Sequence, residues 1–471
     1  MLVLKYFYAF FDEFILFYVI VVNGFYLTLF FLSLAEIRKY MRSHLFREDV
    51  ELVSSELTPP VTIIVPAYNE AVTIRESVLS LTQLHYPEYE IIIVNDGSTD
   101  ETLEVLKREF HLVRVNQIIR QQIRTKPIRQ MYRSRIFSNI LVVDKENGGK
   151  ADALNAGINV STYPYFCGVD ADSLLEKDSL LNAMRPFIEG ENELVACGGI
   201  VRIANGCTVR NGKVVDVGLP RNLIAAHQVI EYLRSFLMGR IGMSRMNSLL
   251  IISGAFGIFR KRDIIAIGGY NTETIGEDME LVVRLQKHLY ESKQEAKVLF
   301  VPDPVCWTEA PQTLRVLQRQ RMRWATGLIE SLALHKSTIF NPKYGAMGLL
   351  SMPYFLLVET LGPVIELFGT VFFLTGLFLG FVNVQFAVFF AFATLVFGVF
   401  LSLTAVLLEE ISFRRYTKVK DFVKLVLLSF LENFWYRQVN AFWKTWSVIR
   451  YVRRRKMSWG HMERKGLTRQ T

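Results

Sequence analysis

Apolar and polar positions fall into three regimes along the chain. A nearly unbroken apolar run from about Phe14 to Ala35 exceeds the roughly 20 residues a helix needs to cross a bilayer. From Pro59 to about Pro342 the apolar runs shorten. Val61–Val65, Glu90–Val94, Asn139–Val143, Tyr165–Val169, Leu194–Ala196 and Val298–Val301 read as strands, and the amphipathic stretches Thr73–Leu84 and Thr99–Glu109 read as helices. Near-continuous apolar strands separated by helices predict an α/β domain with a Rossmann-like, largely parallel sheet covered on both faces. Past that domain, Gly345–Val358 with its internal Pro353 predicts an interfacial helix. Pro363–Phe381 and Phe386–Leu408 predict two spans joined by a short outside turn at Val382–Gln385. Asp421–Val448 mixes Glu432 and Arg437 with apolar and aromatic residues, which predicts an interfacial or re-entrant segment rather than a crossing.

The expected organisation is a signal-anchor helix (1–45), a cytosolic α/β domain (59–310) with a basic insertion (110–138), interfacial helices (311–358), transmembrane and interfacial helices (359–450) and a basic cytosolic tail (451–471). Ser33-Leu34-Ala35 has the look of a signal-peptidase site, but the apolar run before it is too long and is preceded by Asp12 and Glu13 with only Lys5. Arg38, Lys39, Arg42 and Arg47 follow the run, which places the N-terminus outside and the next domain inside.

Composition agrees with a protein half in water and half in lipid: 51% of residues are hydrophobic and 21% charged. The net charge of +9 sits largely beside apolar segments, at Arg414, Arg415, Lys418, Lys420 and Arg453-Arg454-Arg455-Lys456. That distribution favours an anionic inner leaflet over nucleic acid. The four cysteines (Cys167, Cys197, Cys207, Cys306) have no Cys-x-x-Cys spacing, which excludes a zinc ribbon or disulfide scaffold and fits a reducing cytosol.

Sheets of this kind bind ligands beyond the carboxyl ends of their strands, and the polar chemistry is concentrated there. The first strand leads into Pro66-Ala67-Tyr68-Asn69-Glu70, where Tyr68 offers a stacking face and Glu70 an acceptor. The second ends at Asn95-Asp96-Gly97-Ser98, a tight turn into a helix. The third leads to Gly148-Gly149-Lys150, a glycine pair and a lysine opening a helix, suited to a diphosphate. The fourth delivers Asp170 and Asp172. In an extended Asp-x-Asp both carboxylates point the same way, so they converge on one hard divalent cation whose shell a diphosphate completes. Further on, Gly276-Glu277-Asp278 opens a helical run over Met279–His288. A carboxylate there is placed to take the proton of an attacking hydroxyl, worth on the order of 10²–10⁴-fold in rate. Asp278 is the expected base, with Glu277 beside it.

The set V-T-I-I-V-P-A-Y-N-E, V-N-D-G-S-T-D, G-G-K-A-D-A-L-N, V-D-A-D-S, G-E-D and Q-x-x-R-W (Gln320 to Trp324), in this order, resembles the membrane-embedded family 2 glycosyltransferases. These include cellulose, chitin and hyaluronan synthases and bacterial poly-N-acetylglucosamine synthases. The resemblance covers Pro59 to Gly327 and implies a GT-A fold, a UDP-sugar donor, Mg²⁺ or Mn²⁺, an inverting displacement and processive export, from the plasma membrane of a bacterium. It assigns Ala67, Tyr68, Glu70 and Asp96 to the uridine and Lys150 to the diphosphate and donor sugar. Asp170 and Asp172 go to nucleotide and metal, Asp172 as the more direct ligand. Asp278 becomes the base, Gln320, Arg323 and Trp324 close over the diphosphate and acceptor end, and Gly254, Ala255 and Phe256 line the acceptor side. Two departures stand out. The family triplet T-E-D is G-E-D here, and Phe110–Ser138, rich in arginine, is an insertion expected to form a basic surface helix or loop. No C-terminal regulatory domain is expected.

The leading expectation is a processive synthase that builds and exports a β-linked polysaccharide, with N-acetylglucosamine the best single sugar and accessory subunits left open. The alternative is transfer of a single sugar to a lipid such as polyprenyl phosphate, which Q-x-x-R-W argues against. A non-catalytic scaffold is disfavoured by the intact Asp170, Asp172 and Asp278.

Overall fold

The computed structural model describes residues 2–44, 58–190, 193–381 and 384–454. A 43-residue helix, α1 (Leu2–His44), leads into the α/β domain. There β1 (Val61–Ala67), α2 (Ile74–Leu81), β2 (Tyr89–Asn95), α3 (Thr102–Glu109), β3 (Leu112–Val115), β4 (Ile128–Ser134), β5 (Ile140–Lys145), α4 (Lys150–Val160) and β6 (Tyr165–Gly168) follow one another. Next come β7 (Leu174–Leu175), α5 (Ser179–Ile188), β8 (Glu193–Ile203), the small hairpin of β9 (Thr208–Arg210) and β10 (Lys213–Asp216), and α6 (Leu223–Leu233). A π-helical segment, Arg234–Arg240, continues α6 and precedes β11 (Gly257–Arg260), α7 (Glu277–Glu291), β12 (Ala296–Thr308) and α8 (Leu314–Leu334).

Among the described residues the main sheet has ten strands, in the order β3-β4-β5-β2-β1-β6-β11-β8-β12-β7. The block β5-β2-β1-β6 is parallel. Its strands are buried on both faces, with Ile63, Ile64, Val65, Ile91, Ile92, Ile93, Val142 and Val143 sealed from solvent. Each such side chain stabilises the fold by about 1.5–3 kcal/mol through burial, which is why these segments read as unbroken apolar runs.

The expectation of a largely parallel sheet is corrected here: the sheet is mixed. β11 inserts antiparallel between β6 and β8, and β4 and β3 extend the other edge antiparallel to β5 and to each other. Apolar runs report burial but not strand direction, and β11 is only four residues long. The insertion 110–138 is likewise neither a helix nor a simple loop. It supplies β3 and β4, with Met131 and Tyr132 buried and Arg129 and Arg133 exposed. Its connecting loop is tied down where the Lys126 N–H donates to the buried Asp152 carboxylate.

Three helices are long and apolar enough to cross a membrane among the described residues: Glu13–Arg42, Met347–Phe378 and Ala391–Ser412. The second combines the expected interfacial stretch, wound with π turns over Met347–Ser351 and Phe355–Thr360, with α9 (Gly362–Phe378). The third belongs to α10 (Val384–Ser412). The ambiguous 421–448 stretch forms two helices, α11 (Val419–Leu431) and α12 (Tyr436–Val452), of 13 and 17 residues, each shorter than a span requires. Two glutamates within the apolar Met347–Phe378 segment have partners on α12. Glu359 meets Lys444 at 3.0 Å and Glu366 meets Arg437 at 3.6 Å. A buried bidentate pair, Arg202 on β8 with Glu409 on α10, joins the sheet to the apolar helices at 2.7 Å on both arms. Arg47, residues 382–383 of the expected outside turn and residues 455–471 of the basic tail lie outside the described residues.

Candidate active site

The carboxyl ends of β1, β2, β5 and β6 share one edge, and backbone demands there fix the loops. Gly97 has φ +68°, and a Cβ on it would lie 2.9 Å from the Asn147 nitrogen, so the turn after β2 packs directly on the loop after β5. Asp96 holds that loop: its carboxylate accepts from the Gly148 N–H at 3.0 Å, the Gly149 N–H at 2.7 Å and the Lys145 ammonium at 2.5 Å. Lys145, fully buried, also pairs with Asp152 at 2.7 Å. Ala67 is buried, and its carbonyl accepts from the Asp96 N–H.

Of the four residues assigned to the uridine, Ala67 and Asp96 also shape the loop at the strand ends. A local motif cannot reveal this, because the lysine that claims Asp96 is 49 residues away. Tyr68, half-exposed, and Glu70, partly buried, remain at the strand end. All four lie outside the lining of the main cavity.

That cavity, of about 900 Å³, gathers Lys150, Asp170, Asp172, Gly254, Ala255, Glu277, Asp278, Gln320, Arg323 and Trp324. Its volume is near the upper end for sites that enclose a small ligand. From these residues it continues between α1, α9, α10 and α12, where Tyr18, Phe372, Thr394 and Lys444 line it. Phe256 does not take part. It is fully buried in the hydrophobic core, a correction of its assignment to the acceptor side. In S-G-A-F-G the residues Ser253, Gly254 and Ala255 face the cavity and the phenylalanine anchors the loop from behind.

Asp278 sits in the first turn of α7, whose N-cap position is Gly276. Gln320, Arg323 and Trp324, at i, i+3 and i+4 on α8, share one face, and Gly327 extends that face by one turn. Gly276 and Gly327 touch backbone to backbone. A Cβ on Gly327 would lie 2.7 Å from the Gly276 Cα, and one on Gly276 would lie 2.8 Å from the Gly327 Cα. The departure from T-E-D to G-E-D thus has a local cause. Glu330, also on α8, accepts from the Thr274 hydroxyl at 3.0 Å and the Ile275 N–H at 2.9 Å. Asp278 and the Q-x-x-R-W face are therefore fixed to one another through the backbone.

The charges are arranged in opposition. Lys150, the first residue of α4, pairs closely with Asp170 and lies 3.6 Å from Glu277. Burial pulls its ammonium down, but Asp170 and Glu277 outweigh that and hold it above the usual lysine value. Burial pushes the Glu277 carboxyl up, against the pull of Lys150, and the neighbouring Asp278 adds to the rise.

Asp170 and Asp172 stand in a turn closed by the Ser173 N–H donating to the Asp170 carbonyl, rather than in the extended strand expected. Both still face the cavity. Among the described residues no three His, Cys, Asp or Glu side chains cluster as a metal site. Two carboxylates on one wall fit a cation that arrives with a diphosphate, since Mg²⁺ is usually held by one or two carboxylates plus substrate phosphates.

Sequence reading missed the support beneath Trp324. Arg321, inside the motif, lies under its ring at 4.3 Å and pairs with Glu231 on α6 at 2.6 Å. The Tyr436 hydroxyl on α12 donates to the same carboxylate at 2.7 Å. Only the helical spacing of Arg321 from Trp324 hinted at this; its partners are about 90 and 115 residues distant.

Among solved structures, the chain resembles a mannosyltransferase from Pyrobaculum calidifontis in complex with GDP-Man and Mn2+. The TM-score is 0.51 at 17% identity, covering 89% of this chain and 98% of that one, which supports a shared fold. Among curated proteins it is 29% identical over 322 residues to the poly-beta-1,6-N-acetyl-D-glucosamine synthase of Staphylococcus aureus (strain COL). That match takes in 67% of this chain and 65% of the relative, just under two thirds of the relative's length. It is 30% identical over 268 residues to the synthase of the same name from Staphylococcus epidermidis, covering 57% of this chain and 54% of the relative. The family model described as "Glycosyltransferase like family 2" matches residues 59–327. Since that match takes in more than half the sequence and spans every motif from the first strand to Gly327, the chain belongs to the family 2 glycosyltransferases.

Proposed function

We propose that this protein transfers N-acetylglucosamine from UDP-N-acetylglucosamine to the end of a growing β-linked polysaccharide and passes the product across the membrane. The observation that carries this reading is the single cavity that begins at Lys150, Asp170 and Asp278 and continues between the apolar helices. A transferase that releases a soluble product has no need of such a path. The sugar is the one that the staphylococcal relatives' names carry.

In this reading Tyr68 and Glu70 receive the nucleoside, and Lys150, Gln320 and Arg323 hold the diphosphate. Asp172 and Asp170 would hold Mg²⁺ or Mn²⁺, which when bound neutralises charge on the leaving diphosphate. Asp278 accepts the proton of the acceptor hydroxyl as its oxygen attacks the anomeric carbon from the face opposite the diphosphate, giving inversion. Glu277 keeps Lys150 in place. Trp324 stacks on the acceptor end where the cavity turns toward the membrane helices. The protein sits in a bacterial plasma membrane with its α/β domain in the cytosol, where nucleotide sugars are made.

Incubation of the purified protein in lipid nanodiscs with a panel of UDP-sugars, followed by product sizing and linkage analysis, tests the reading. A polymer formed from UDP-N-acetylglucosamine supports it. A single sugar on an extracted lipid establishes the lipid-transfer alternative, and UDP release from none of the panel overturns both.

A further inference from the structure

Arg240 ends the π-helical segment Arg234–Arg240 and lines the same cavity. Single π turns within helices occur often at functional sites, and this one is held from outside. The Ser33 hydroxyl of α1 donates to the Met238 carbonyl at 2.7 Å. The guanidinium lies over the Phe236 ring at 3.9 Å.

Other cations in the cavity are committed: Lys150 to Asp170, Arg321 to Glu231, Arg234 to Glu432. The Arg240 side chain makes no hydrogen bond or ion pair with a described residue, and its Nη1 is buried without a partner. Such a cation is costly to keep. Burial draws it down to about 10, and the carboxylate that opposes this is Asp278. It stays charged at neutral pH. Asp278, Tyr232 and Phe236 line the same cavity as Arg240.

We infer that Arg240 is an acceptor-binding residue: its guanidinium donates hydrogen bonds to oxygens of the acceptor's terminal sugar and presents the attacking hydroxyl to Asp278. The inference rests on the proposed sugar transfer. In that step the hydroxyl oxygen bonds to the anomeric carbon, and the bond from that carbon to the diphosphate breaks. The electron pair leaves on UDP, and the hydroxyl proton passes to Asp278. Arg240 stays protonated throughout. Tyr232, packed against Phe236 and beside Trp324, lines the same cavity and offers an aromatic ring to a sugar, which suits a saccharide better than a second phosphate.

The test compares wild type, Arg240→Gln and Arg240→Lys in nanodiscs with UDP-N-acetylglucosamine, measuring UDP affinity, UDP release and sugar incorporated into polymer. Arg240→Gln is expected to bind UDP within about twofold of wild type while polymer falls at least about tenfold. Hydrolysis of the donor should persist, so UDP released per sugar incorporated rises. Arg240→Lys, which keeps the charge but loses the fork, should shift the same ratio less. If Arg240→Gln does not fold, as judged by its melting, the Lys variant carries the test. An unchanged ratio in the folded variant overturns the inference, and so does a parallel loss of UDP affinity, which would place Arg240 at the diphosphate. Wild type that makes no glycan but binds UDP refutes the transfer reading itself, and the inference with it.

Discussion

Replacing Gly327 by alanine should slow transfer by about 100-fold, well beyond any weakening of nucleotide binding. The added Cβ would lie 2.7 Å from the Gly276 Cα and also close to the Gly276 nitrogen and the Ile275 carbonyl carbon. Carbon atoms ordinarily approach to about 3.5–4.0 Å, so α8 and the Gly-Glu-Asp loop must separate by about 1 Å. All the clashing atoms are backbone, and no rotamer change relieves them. The cost of overpacking is about 1–3 kcal/mol, too small to unfold a domain with so large a buried core. The displacement, however, falls between Asp278 and the Gln320-Arg323-Trp324 face, and misplacing reacting groups by 1 Å costs on the order of 10²-fold. Turnover of UDP-N-acetylglucosamine by Gly327→Ala, with UDP affinity and thermal melting in parallel, is the assay. Turnover within about twofold of wild type, with unchanged melting, would refute the claim that this contact sets the site. Loss of UDP affinity as large as the loss of turnover would refute the claim that it acts on acceptor geometry.

Asp278→Asn keeps the shape but cannot accept the proton, so turnover should fall by on the order of 10²–10⁴-fold with UDP affinity nearly unchanged; near-normal turnover in a steady-state assay would remove Asp278 as base. Asp172→Asn should weaken divalent-dependent UDP binding measured by calorimetry, and EDTA should stop wild-type turnover; full activity in chelator would refute the metal role. Trp324→Ala, which removes the ring stacked on Arg321, should shorten the polymer more than it alters donor binding, and chain length unchanged on sizing gels would count against its place at the acceptor end. All four native cysteines are buried, so impermeant maleimide labelling of intact cells reads added thiols cleanly. A cysteine at Val384 should label, and cysteines at the exposed Ser138 and Arg454 should label only after lysis; labelling of Ser138→Cys in intact cells would invert the proposed topology.

The sequence by itself determined the parts that depend on neighbours along the chain. Residues such as Ile63, Ile64 and Ile91–Ile93 are buried on both sheet faces, so their apolar runs marked the parallel block and its ligand-bearing edge. The run after Phe14 marked a helix long and apolar enough to cross a membrane, because so many consecutive apolar side chains suit lipid. Residue type and order located Lys150, Asp170, Asp172, Asp278 and the Q-x-x-R-W face, since the chemistry of a charged leaving group asks for those groups.

What the tertiary structure decided are relations between residues far apart. Hydrophobic patterning carries no strand direction, so the antiparallel β11 and the edge strands β3 and β4 came only with the fold. Asp96 proved to anchor a loop because Lys145 reaches it, and Phe256 turned into core because its loop faces the cavity with Gly254 and Ala255. The contact of Gly276 with Gly327 and the cavity that Arg240 shares with Asp278 join segments tens of residues apart. Periodicity within a window records how a side chain is buried, not what buries it, and that is settled only when the whole chain packs.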